Sequence, residues 1–211
     1  MNKIAFTCAC ALLIFASCSK KAELNRRLID AVVLGDLAKV DDLLARGADV
    51  NAREETGPGR TALIIAAGED DGEIAAALLK QGADVHAKSG DGSSALMYAA
   101  MEGNADVVKT LLAQGADVNA SDNLGQTALI KASADGHETI VEILAAGGAD
   151  INMKDKIGIS AVMKSMINGH SEITGILLKR GAKLTDQDKL KIQEAVRINT
   201  QQEEVLDSEN K

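Results

Sequence analysis

The chain has 211 residues, 23 of them basic and 31 acidic, for a net charge of −8 at neutral pH. So acidic a surface repels nucleic-acid phosphates and anionic lipid headgroups, and its few aromatic residues (Phe6, Phe15 and Tyr98) give bases no platform on which to stack. All three cysteines, Cys8, Cys10 and Cys18, fall within the first 18 residues, so the rest of the chain holds neither a disulfide nor a cysteine metal site.

The N-terminal segment reads as an address rather than as structure. After the basic Lys3 comes an uncharged, mostly apolar run of 14 residues, 4–17. That run is too short to span a bilayer and suits the apolar region of a signal peptide. It ends in Phe15-Ala16-Ser17-Cys18, which resembles a bacterial lipobox with Phe15 in place of the usual Leu. The resemblance implies that residues 1–17 are removed and that Cys18 is acylated; the alternative is an ordinary signal peptide in which Cys18 is incidental. Loss of Lys3 leaves 22 basic residues against 31 acidic ones, a net charge of −9. Attachment to a membrane is therefore expected through the lipid alone, as a periplasmic or outer-membrane lipoprotein of the cell envelope. Residues 18–23 are expected to form a short tether, in which five extended residues reach about 17 Å.

From there the chain repeats itself. Gly82, Gly115, Gly148 and Gly181 each begin a Gly-Ala element 33 residues apart, Gly47 lies 35 before Gly82, and Thr61, Ser94, Thr127 and Ser160 recur in phase. A fixed period of this size marks a solenoid whose units bury their apolar faces only against neighbours. The recurring G-x-T-A-L, A-A, G-H-x-E and L-L-x-x-G-A-D-V-N-A elements resemble the ankyrin repeat. That resemblance implies an all-α solenoid of about five helix-turn-helix repeats with β-turn finger loops, at 24–55, 56–88, 89–121, 122–154 and 155–187.

In repeat one, Leu28, Ile29, Val32 and Val33 share a helical face. Gly35 closes that helix and Asp36 caps the next, which carries Val40, Leu43 and Leu44. The absence of the G-x-T-A-L opening marks a capping repeat. Two extra residues within Glu54–Gly59, which include the only proline, lengthen the finger of repeat two. Asp70 stands where later repeats have Gly103, Gly136 and Gly169, and Asp tolerates the left-handed conformation moderately well. Leu43, Leu78, Leu111, Leu144 and Leu177 form one row through the stack. Thr185 and Asp188 make a capping-box start for a last helix carrying Leu190, Ile192, Ala195 and Val196. That cap is expected over 188–199, followed by a polar, frayed tail at 200–211. The whole ankyrin domain is placed at 24–199.

Chemistry is sparse. His137 and His170 are repeat-equivalent, and equivalent residues line a row rather than converge on a metal. Asp49, Asp84, Asp117 and Asp150 belong to the recurring turns. No nucleophile has a base beside it, so no enzyme, cofactor, metal or small-molecule substrate is expected. The ankyrin resemblance implies a concave binding face. Its positions here are Arg60, Ile65, Ser93, Tyr98, Met101, Gln126, Lys131, Ile159 and Lys164. Ile65, Tyr98 and Met101 are expected to anchor a protein partner. The chain is expected to act as a monomeric scaffold in the envelope, with inhibition or immunity toward an exported enzyme or toxin as the alternative.

Overall fold

The computed structural model describes residues 20–209, so Cys18 and the segment 1–17 lie outside the described residues. The helices come in pairs. Repeat one pairs α1 (20–33) with α2 (Leu37–Ala45), and repeat two pairs α3 (Ala62–Gly68) with α4 (Gly72–Lys80). Next come α5 (Ala95–Glu102) with α6 (Ala105–Ala113), α7 (Ala128–Asp135) with α8 (Glu138–Ala146), and α9 (Ala161–Ile167) with α10 (Ser171–Lys179). A long α11 (Asp186–Glu209) closes the described chain. Since α1 is described from Lys20, residues 20–23 belong to a helix and not to the expected tether.

Local chemistry sets the boundaries. The hydroxyls of Thr61, Ser94 and Thr127 accept from the backbone N–H three residues on, at Ile64, Met97 and Ile130, which satisfies one orphan donor of each first helix. Asp36 and Asp71 do the same for α2 and α4. Between repeats, pairs of residues bridge in antiparallel fashion: Arg53 with Thr61, Lys88 with Ser94, Ser121 with Thr127 and Lys154 with Ser160. These are the bases of the fingers. The 54–59 insertion lengthens the first of them and leaves the helices in phase.

The first helices pack side by side as one layer (α3 on α5, α5 on α7, α7 on α9), and the second helices form the other. Fully buried Ala66, Ala67, Ala99, Ala100 and Ala132 let the first helices approach closely. The second helices are held apart by Leu43, Leu78, Leu111, Leu144 and Leu177, each wholly buried. The first-helix layer and the fingers beside it form one face of the stack. Ser133 occupies the alanine position of repeat four, wholly buried, with its hydroxyl unpartnered. Burying an unsatisfied hydroxyl costs about 1–3 kcal/mol, so Ser133→Ala should raise the urea midpoint, and a lower midpoint would contradict this reading.

Two terminal expectations change. Val33 is 53% exposed because α1 turns Leu24, Leu28, Ile29, Ala31 and Val32 into the core and leaves Val33 outside it. At the other end α11 packs chiefly on α9. It therefore buries Ile192 against Ile159 and Met163 while Leu190 stays 65% exposed. The same helix continues to Glu209, through most of the stretch expected to be a frayed tail.

The expected capping box is present and reciprocal: Asp188 N–H donates to Thr185 Oγ1 (3.2 Å) and Thr185 N–H donates to Asp188 Oδ2 (3.0 Å). Lys154 Nζ donates to the buried Asp188 carboxylate at 2.7 Å. That bond, followed by the Thr185 N–H, holds the Asp188 carboxyl at about 2. A carboxylate lowered on folding stabilises fully above its unfolded value, near pH 4, and stops doing so as the pH falls through its folded value. The stability difference between the wild type and Asp188→Asn should thus be constant above about pH 5 and shrink from about pH 4 to about pH 2. Unfolding curves across that range check it, and a pH-independent difference would contradict it.

Candidate functional site

The inner face is built from the first helices and the fingers beside them. Position by position along the stack it presents Asp30 and Val33, then Ile65 and Gly68, Tyr98 and Met101, Lys131 and Ala134, and Lys164 and Ile167. Tyr98 and Met101 are half-buried, as are Gln126, Lys131 and Lys164. Tyr98, Met101 and Lys131 meet at a small pocket of about 40 Å³, which Asp91, Ser93 and Met97 complete.

Three of the positions expected on this face are closed. Ile65 is fully buried. The equivalent position one repeat on is Tyr98, whose ring reaches across to α3 and lies 3.7 Å from where a Cβ on Gly68 would stand. The ring covers the surface that Ile65 would otherwise show, so Ile65 is core and not a partner contact. Ser93 is buried and donates its hydroxyl to Asp91 Oδ2 at 3.0 Å. Ile159 is buried beneath α11.

Cations on the face are matched largely from their own fingers. Arg60 makes two side-chain bonds to Glu54 (3.1 and 3.2 Å), and its guanidinium carbon lies 5.9 Å from the centre of the Tyr98 ring, at the outer limit of a cation–π contact. Burial pushes the Glu54 carboxyl up, but the Arg60 side-chain and backbone donors outweigh it and leave the group below its ordinary value. Lys131 Nζ is 2.9 Å from Asp122 Oδ2 and 3.4 Å from Gln126 Oε1. Burial likewise pushes Asp122 up, and bonds from Lys131 and from the Gln126 and Leu124 N–H groups bring it down. Lys164 sits at the Lys131 position one repeat later, yet makes no ion pair among the described residues.

Two exposed residues gave no expectation from the sequence. Leu124 and Ile157, at the tips of adjacent fingers, are 64% and 73% exposed. Their signal was available: both are large apolar residues immediately before a turn glycine, where repeat three has Asp91.

The histidines are structural. His137 Nε2 lies 2.7 Å from the Met101 carbonyl, and His170 Nε2 lies 3.0 Å from that of Ala134. A carbonyl only accepts, so each imidazole donates from Nε2 to the end of the preceding first helix. Gly103 and Gly136 (φ 92° and 85°) make room, since a Cβ at either would stand 2.9 Å from the ring. At the junction before, Asp70 (φ 59°) replaces the glycine and Asn104 replaces the histidine, donating to Ala67 O at 2.8 Å. Among the described residues no group of three or more His, Cys, Asp or Glu is placed to hold a metal ion.

Behind the fingers runs a ladder in which an asparagine oxygen accepts the N–H that opens the next turn. Asn25 bonds Asp49, Asn51 bonds Asp84, Asn119 bonds Asp150 and Asn152 bonds Lys183, each at 2.8 Å. His86 takes the asparagine position of repeat two and makes no such bond. A cleft of about 340 Å³ opens there, lined in part by His86, Lys88, Asp117 and Asn119.

Paired helices stacked in two layers, with projecting fingers, define a helical-repeat solenoid. The family model for ankyrin repeats (3 copies) matches residues 28–122 and 115–188, and the chain belongs to that family. Ankyrin repeats generally mediate protein–protein interaction and are typically non-catalytic. No curated protein matches the chain.

Proposed function

We propose that this chain is a non-catalytic protein-binding module of a bacterial cell envelope, anchored by lipid at Cys18, which receives its partner on the inner face. The observation that carries the binding reading is the half-exposed pair Tyr98 and Met101, set beside Lys131 on a floor of fully buried side chains. Aromatic and apolar anchors on a rigid, desolvated base concentrate binding energy in this way. The nearest charges, Arg60 with Glu54 and Lys131 with Asp122, are engaged with each other and hold the fingers in place. That use of charge supports recognition rather than acid–base chemistry. The anchor reading rests on the lipobox-like residues that end at Cys18. Among the described residues no helix is long and apolar enough to cross a membrane.

Tyr98→Ala combined with Met101→Ser is the test of the face; since loss of the Tyr98 ring uncovers Ile65, circular dichroism and the urea midpoint of the variant are measured alongside to show that the stack still folds. Cross-linked recovery of partner from envelope extract should fall by about tenfold or more, as for loss of a hot-spot anchor worth at least about 1.4 kcal/mol. Unchanged recovery places the interface elsewhere. Mass spectrometry of membrane-extracted protein tests the anchor, and an unmodified Cys18 rules it out.

A further inference from the structure

One corner of the molecule differs in chemistry from the rest. The apolar side chains of Leu124 and Ile157 project from neighbouring fingertips whose backbones are pinned. Lys156 N–H donates to Leu124 O at 2.9 Å, and Lys191 Nζ donates to Ile157 O at 3.0 Å. Both tips are thus held in position rather than loose. Cations surround them. Lys156 is exposed, Lys164 lines the groove beside them, and neither makes an ion pair among the described residues. Lys191 is engaged by a carbonyl, which leaves its charge uncompensated. Two carboxylates of the same region are withdrawn. Buried Asp155 accepts the Ile157 and Ile159 N–H groups, and buried Asp188 is paired with Lys154. A chain with an excess of acidic residues therefore shows, at repeats four and five, an apolar ridge rimmed with unmatched lysines.

Resting on the protein-binding reading above, we infer that the partner contributes a protein segment in which an apolar stretch is followed by carboxylates. Its apolar side chains cover Tyr98, Met101, Leu124 and Ile157, and its carboxylates face Lys156, Lys164 and Lys191. The arrangement follows from the stack: Tyr98, Met101 and Leu124 lie in repeats three and four, and Lys156, Lys164 and Lys191 lie beyond them in repeat five and α11, beside Ile157. Charge complementarity of this kind sets register and raises the rate of encounter. An anionic lipid surface fits less well, because two apolar side chains bury little area and the remaining negative charge opposes approach.

A random-peptide phage library panned against the full chain tests this. Recovered sequences should pair Leu, Ile or Phe with adjoining Asp or Glu. Their recovery should fall about tenfold for K156E/K164E, and also for L124S/I157S, and decline as salt is raised. All four side chains lie at the surface or the groove lining, so circular dichroism should show both variants folded. Sedimentation with phosphatidylglycerol vesicles should be the same for the wild type and both variants. Enriched sequences without acidic residues, recovery unaffected by both variants, or no enrichment would overturn the inference. Loss of vesicle binding in the variants would overturn it too, by assigning the patch to lipid. The Tyr98/Met101 experiment would stand or fall separately.

Discussion

Leu111→Ala should lower the unfolding free energy by about 2–5 kcal/mol, the range for a buried leucine whose cavity does not collapse. Leu111 has no exposed surface, lies at the middle of the leucine row, and has Leu78 and Leu144 at the equivalent positions on either side. The neighbouring Leu112 is only partly buried, and Leu112→Ala should cost less than half as much. Urea denaturation of the two variants checks this. Because each repeat touches only its neighbours, a weakened central repeat costs the interfaces on both sides of it. A loss below about 1 kcal/mol for Leu111→Ala would mean that the layers repack freely, which the interior density of proteins does not favour.

The second large effect is expected at Gly103. Alanine there must adopt φ near 92°, and its Cβ would stand 2.9 Å from His137 Cε1. The left-handed conformation alone costs about 1–2 kcal/mol. The ring cannot withdraw without losing its bond to Met101 O, worth about 1 kcal/mol net. Gly103→Ala should therefore cost about 2–3 kcal/mol as the sum of those two contributions. In a His137→Asn background the same substitution should cost less, because the preceding junction already pairs a non-glycine residue, Asp70, with Asn104. A double-mutant cycle measures the coupling. Strictly additive costs would show that the ring and the glycine are independent.

The same pairing shows what was legible in the sequence. Repeat period, helix caps, the leucine row, the Thr185–Asp188 box and the left-handed Asp70 could all be read from the residues, because each depends on chemistry within one repeat or on its strict recurrence. The errors arose where a residue's surroundings come from another repeat. Ile65 occupies a position that is surface-facing in principle, and only the bulk of Tyr98 one repeat later buries it. Val33 and Leu190 fit helical apolar patterns, but end helices have one neighbour instead of two and bury a narrower face. Leu124 and Ile157 are not legible in this way, because a turn pattern specifies backbone conformation and not what its side chains present. Of the expected face, Arg60, Tyr98, Met101, Gln126, Lys131 and Lys164 are half-buried, whereas Ile65, Ser93 and Ile159 are buried.

His86 makes one junction of the stack unlike the others. At three other junctions an asparagine oxygen ties consecutive turns together at 2.8 Å: repeat one to two, repeat three to four, and repeat four to five. Between repeats two and three that tie is missing, although the buried leucines continue across the junction without a break. Lys88 spans that junction instead, its Nζ donating to Ser121 O at 2.8 Å. Arg60 lies on one side of this joint, and Tyr98 and Met101 on the other. The step of the ladder made without an asparagine is thus the step at which the aromatic anchor begins.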